Sequence, residues 1–80
     1  MYEIWRHIVS GERYLVVVRA GVVNVAAGPL TPGQEPRTTL EQHGNQNHNP
    51  QALLHIRKFP EDYVREYTTD KEGRAIPLTD

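Results

Sequence analysis

The stretch "RYLVVVRAGVVNVAAGP", residues 13 to 29, constrains the fold more than any other part of the chain. Two runs of β-branched side chains are divided by one turn signal, "RAG", and neither run has the period of an amphipathic helix. In the first run Tyr14, Val16 and Val18 point one way while Leu15 and Val17 point the other, so both faces are apolar. Such a strand needs cover on both sides and belongs inside a sheet. In the second run Val23, Val25 and Ala27 alternate with Val22, Asn24 and Ala26, which makes one face larger and the other more polar. Gly21 is expected to take the positive φ of a bulge after a type I turn, with Arg19 and Ala20 at ordinary angles.

Upstream, "YEIWRHIV" is also β-branched and aromatic, and "SGE" turns it into the second strand, so residues 1–30 read as a β-meander. "GPLTPGQEP" ends it, because prolines remove ladder donors and glycines favour turns. From Gly28 to Gln51 only Leu30 and Leu40 are large and apolar, and a polar connection of about 24 residues is uncommon in a compact domain unless it is functional or lacks fixed structure. Within it "PRTTLEQHG" has the chemistry of one or two helical turns, capped at Thr38 or Thr39 and stopped at Gly44. Residues 31–51 are read as a long polar loop.

Residues 52–80 continue with an ambiguous element and a clear one. In "NPQALLHIRKF", Asn49 and Pro50 suit a helix cap and first turn, and Arg57 and Lys58 suit its end. The same stretch alternates, with Leu54 and Ile56 on one face, and we read it as a strand with a short helix as the competing assignment. "YVREYTTDKEGRAIPL" is a hairpin: Tyr63 to Thr69, a turn at "DKEG", and a return strand from Arg74 to Leu78. Pro77 cannot donate to a ladder and puts that strand at an edge. The expected class is mostly β, with α+β possible: a small bent antiparallel sheet of five to six strands, or a partly open barrel of SH3-like shape, built from hairpins with a long polar loop and one or two short helices.

Eighty residues make one small domain that buries roughly 60% of its unfolded surface, so the stability margin is thin. No cysteine is present, which removes disulfide staples, thiolate zinc sites and a cysteine nucleophile together. Small chains without such staples often complete their cores by association, and a homo-oligomer or a protein partner is expected. The net charge of −1, with both signs interspersed, gives weak long-range attraction to polyanions or anionic membranes. The first 21 residues have no basic segment ahead of an apolar one, and no run is long enough to span a bilayer. A cytoplasmic chain without membrane contact is the expectation.

Four groups of residues bear on function. His43 and His48, in "EQHGNQNHNPQ", have the donor type for zinc or nickel, with Glu41 or His55 as further ligands, but Gly44 equally stops a helix and opens a loop. No metal or other cofactor is assigned on that spacing. Trp5, Tyr14, Phe59, Tyr63 and Tyr67, with Arg6, Arg57 and Arg65 among them, form the best candidate set for an interface or for stacking a ligand. Nucleic-acid modules use aromatics beside cations in this way, although Glu3, Glu12, Glu61, Asp62 and Glu66 oppose phosphate.

For catalysis the ingredients are dispersed. Ser10 falls in a turn with no histidine assigned to it, and His7 and His55 read as strand histidines satisfied by one hydrogen bond. Glu61 and Asp62 are adjacent, hence on opposite faces of an extended chain. There is no phosphate-cradling glycine loop. The sequence therefore favours a non-enzymatic interaction module that self-associates or docks on a protein, with single-stranded nucleic-acid or regulatory binding as the alternative.

Overall fold

The computed structural model describes residues 2–30, 48–70 and 74–78. They form one open antiparallel sheet of five strands, β1 (Tyr2–His7), β2 (Arg13–Arg19), β3 (Val22–Ala27), β4 (Tyr63–Thr69) and β5 (Ala75–Pro77), ordered β3-β2-β1-β4-β5. Between β3 and β4 the chain forms helix α1 (Pro50–Lys58) and a single 3₁₀ turn, Pro60–Asp62. The mostly β class, the meander and the C-terminal hairpin are as expected, and the sheet does not close into a barrel.

Register explains the core. Ile4 pairs with Leu15 and Leu15 with Ala27, so these three share a face, joined there by Leu30. Tyr2, Tyr67 and Ala75 pack against them. One residue along, Val16 pairs with Ala26 and Val18 with Val23 on the opposite face, where α1 lays down Ala52 and Ile56. Strand β2 is thus covered on both sides, with Leu15 and Val16 both buried, as its two apolar faces require.

Residues 52–58 are helical, which corrects the strand reading. Asn49 is the N-cap: its side-chain oxygen accepts the Ala52 N–H at 3.0 Å, and Pro50 begins the helix, where a missing N–H costs nothing. His55, Arg57 and Lys58 lie in the last turn, where positive charge suits the exposed carbonyls. The apparent strand alternation came from Leu54, which is 66% exposed. The residues that face the sheet are Ala52 and Ile56, four apart, with Leu53 partly buried beside them.

The β2–β3 turn also differs from expectation. Arg19 pairs with Val22, leaving only two residues in the loop, and both Ala20 (φ 52°) and Gly21 (φ 75°) are left-handed. Two-residue hairpins favour this geometry because it matches strand twist, so Ala20 takes a conformation that costs an L-residue roughly 1–2 kcal/mol. Gly28, at φ 132°, is required for space as well: a Cβ there would lie 3.0 Å from the Leu30 nitrogen and 3.3 Å from the Arg13 carbonyl.

Pro77 lies on edge strand β5, as expected. The possible helix near Thr38 and Thr39, and most of the polar loop, fall outside the described residues, as do the central residues of the "DKEG" turn. Across that turn Asp70 and Arg74 bond reciprocally, Asp70 N–H to the Arg74 carbonyl at 3.0 Å and Arg74 N–H to the Asp70 carboxylate at 2.8 Å.

Candidate functional site

The helix-covered face ends in an open groove of about 340 Å³ between α1 and the β1–β2 turn. His7, Ser10, Glu12 and Tyr14 line it from the hairpin, Asn49, Gln51, Ala52 and His55 from the helix side, and Tyr63 from β4. Its position follows from three local decisions. His7 ends β1 directly opposite Tyr63, so both side chains point to the helix side. Asn49 anchors the start of α1 to the sheet, its N–H donating to the Ala26 carbonyl at 2.8 Å and its side-chain amide to the Gly28 carbonyl at 3.2 Å. Phe59 and Pro60 then stop the helix, and the 3₁₀ turn carries Asp62 back beneath it: the Ile8 N–H donates to the Asp62 carbonyl at 2.9 Å.

Rings meet edge to face at this end of the molecule. The centroid of Tyr63 lies 5.1 Å from His7 and 5.6 Å from His55, the two imidazoles are 5.6 Å apart, and Phe59 lies 5.1 Å from His55. These separations suit quadrupolar attraction between tilted rings. Each imidazole is also held through Nδ1. The Ser10 backbone N–H donates to His7 Nδ1 at 3.2 Å, with Ser10 Oγ at 3.0 Å from the same nitrogen, and Oγ accepts the Glu12 N–H at 3.2 Å. His55 Nδ1 lies 2.7 Å from the Tyr63 hydroxyl.

The tyrosines resist ionisation. Burial pushes the Tyr14 phenol up to about 12, helped by its hydrogen bond to Glu12 at 2.8 Å and by that carboxylate's charge. Tyr63 is raised by burial too, then by the nearby charges of Asp62 and Glu12. Both therefore remain neutral hydroxyls at ordinary pH. Asp62 completes a convergence that the sequence did not reveal: one ligand atom from each of His7, His55 and Asp62 lies within 4.8 Å of the other two.

The residues singled out in the sequence separate into different environments. Trp5, Tyr14 and Tyr63 lie partly buried on the helix-covered face, whereas Tyr67 packs on the opposite face against the Ile4 and Leu15 cluster. Phe59 is 37% exposed beside the groove, with Lys58 Nζ 5.4 Å from its ring centre. Arg6 lies 3.5 Å from the Glu66 carboxylate, Arg57 donates to the Val23 carbonyl at 2.8 Å, and Arg65 is bound to Glu3. His48 pairs with Ala27 in an isolated bridge at the sheet margin, and His43 lies outside the described residues.

Three features were missed. One is Glu3, 1% exposed and held by Arg65 at 2.6 and 2.8 Å, Trp5 Nε1 at 2.8 Å and Thr68 at 3.3 Å. Burial alone would raise its carboxyl, but the bonds from Arg65, Trp5 and Thr68 outweigh it and hold the group below its ordinary value. A second is Ser10 beside His7, a pairing made within the turn itself. The third, the His7, His55 and Asp62 set, has no spacing signal at all, since β1–β4 register and a helix stop bring it together.

Comparison with protein-family models, with curated proteins and with solved structures finds no match for this chain. Among the described residues no helix is long and apolar enough to cross a membrane.

Proposed function

We propose that the chain is a cytoplasmic, non-enzymatic interaction module that self-associates through the end carrying the groove. The supporting observation is the apolar lip of that groove. Ile8 (52% exposed) and Val9 (88% exposed) occupy the β1–β2 turn between groove residues His7 and Ser10, while Leu54 (66%) and Phe59 (37%) flank the helix side at His55. Turns favour Gly, Asn, Asp and Ser for conformational reasons, so β-branched apolar side chains at a tip have no local cause. Exposed apolar patches beside a concavity mark association surfaces.

A two-fold interface uses the same patch on both subunits, and a projecting apolar turn beside a groove supplies both halves of such a contact, which favours a second copy as the occupant. Strand-edge pairing has less support. On β3 the Val23 and Ala26 carbonyls already accept from Arg57 and Asn49, and β5 is three residues long and contains Pro77. Nucleic-acid binding also draws little from the geometry: the aromatics divide between two faces, Arg6 faces Glu66, and Arg65 faces Glu3.

Sedimentation across a concentration series tests the proposal. The unaltered chain should show a concentration-dependent dimer, and Val9→Asp should be monomeric with an unchanged far-ultraviolet spectrum. A strictly monomeric unaltered chain overturns self-association.

A further inference from the structure

We infer that His7, His55 and Asp62 form a binding site for a first-row divalent metal ion, with zinc the best fit. Two imidazoles and a carboxylate are the mixed nitrogen and oxygen donors that borderline ions prefer, and two nitrogen ligands weigh against magnesium or calcium. Their ligand atoms lie within 4.8 Å of one another. A tetrahedral ion with bonds of 2.0–2.1 Å needs ligand atoms about 3.3 Å apart, so the side chains must draw together to close on it. His7 and Asp62 are only partly buried and His55 sits on the helix surface, so side-chain rotation can supply that movement.

The surroundings of the rings carry the argument further. Metal-binding histidines use one ring nitrogen for the ion and fix the other through a hydrogen bond, which sets tautomer and orientation. Here an oxygen able to accept an Nδ1–H faces each ring, Ser10 Oγ at 3.0 Å from His7 and the Tyr63 hydroxyl at 2.7 Å from His55, which favours Nε2 of each ring for the ion. With Ser10 N–H directed at His7 Nδ1, the neutral metal-free ring carries its proton on Nε2. Ligation moves that proton to Nδ1, where Ser10 Oγ accepts it and the Ser10 N–H gives way. The ring's proton count is unchanged. At His55, Nδ1 lies 2.7 Å from the Tyr63 hydroxyl, whose oxygen accepts the Nδ1–H when Nε2 ligates the ion.

Three protein ligands leave at least one coordination position for water or for an anionic group entering the groove. All three ligands come from one chain, so the site does not depend on self-association.

Competition between the protein and a chromophoric chelator for zinc tests the site, with cobalt(II) as a spectroscopic substitute. The expected result is one ion per chain and visible cobalt bands of tetrahedral intensity. His55→Gln and Asp62→Asn, both outside the buried core, should each weaken zinc binding at least 100-fold. Ser10→Ala and Tyr63→Phe, which keep all three ligands, should weaken it by about 10- to 100-fold. Val9→Asp should bind zinc like the unaltered chain even as a monomer, which separates this inference from the proposed function. Absence of zinc binding, or binding unchanged in the His55→Gln, Asp62→Asn double variant, overturns it.

Discussion

Two polar clusters lie on the helix-covered side of the same sheet, and they are built on opposite terms. Around Glu3 the carboxylate is buried and fully partnered, taking hydrogen bonds from Trp5, Thr68 and the more exposed Arg65. Around His7 each imidazole has a polar partner at Nδ1, and one ligand atom from each of His7, His55 and Asp62 lies within 4.8 Å of the other two beside an open groove. The first arrangement removes a carboxylate from water and compensates it within the chain, so loss of one partner is costly. The second is oriented but left open, which suits a ligand.

The largest expected effect comes from breaking the closed cluster. Arg65→Met strands a carboxylate that is 1% exposed and should destabilise by about 3 kcal/mol, read by urea denaturation at pH 7. The pH dependence has a defined sign. The folded pKa of Glu3 lies below its ordinary value of 4.5, so its contribution is fully present above about pH 4.5 and is lost as pH falls through the depressed folded value. Arg65→Met should move that loss to higher pH, and a curve identical to that of the unaltered chain would show Arg65 to be dispensable.

A smaller effect is expected at Asn49, which fixes the helix edge of the open groove. Asn49→Ala removes the cap on Ala52 and the bond to the Gly28 carbonyl, and should cost about 1–2 kcal/mol in the same assay. Tyr14 should titrate near 12 by phenolate absorbance. Because this folded value is raised, its contribution is present below about pH 10 and lost as pH climbs through 12. Smallest of all, His55→Gln should change metal-free stability by less than about 1 kcal/mol, because the bond to the Tyr63 hydroxyl and the ring contacts it removes lie at an exposed position. A loss as large as that of Arg65→Met would put the two clusters in one class and end the contrast.

Legibility in the sequence tracks how local the cause is. The meander was readable because β-branched runs and turns act over a few residues, and Pro77 marked its own edge. The start of α1 was readable as well, since Asn49 and Pro50 carry the chemistry of a cap whether or not the helix follows. What misled was Leu54: its alternation with Ile56 matched a strand, and only packing against β3 decides that Ala52 and Ile56 form the inward pair. Ala20 misled for a similar reason, because the two-residue loop length comes from strand register and overrides the residue's own preference.

The candidate site was harder to read. His43 and His48 drew attention by proximity in sequence, yet the convergent set joins residue 7 to residues 55 and 62. By itself the sequence determined a small, cysteine-free, mostly β chain with a double-faced central strand, because side-chain shape and period act locally. Only the tertiary structure decided that Glu3 is interior and paired while His7, His55 and Asp62 share one open end. Strand register and the helix stop at Phe59 and Pro60 set those distances, and both are relations between distant segments.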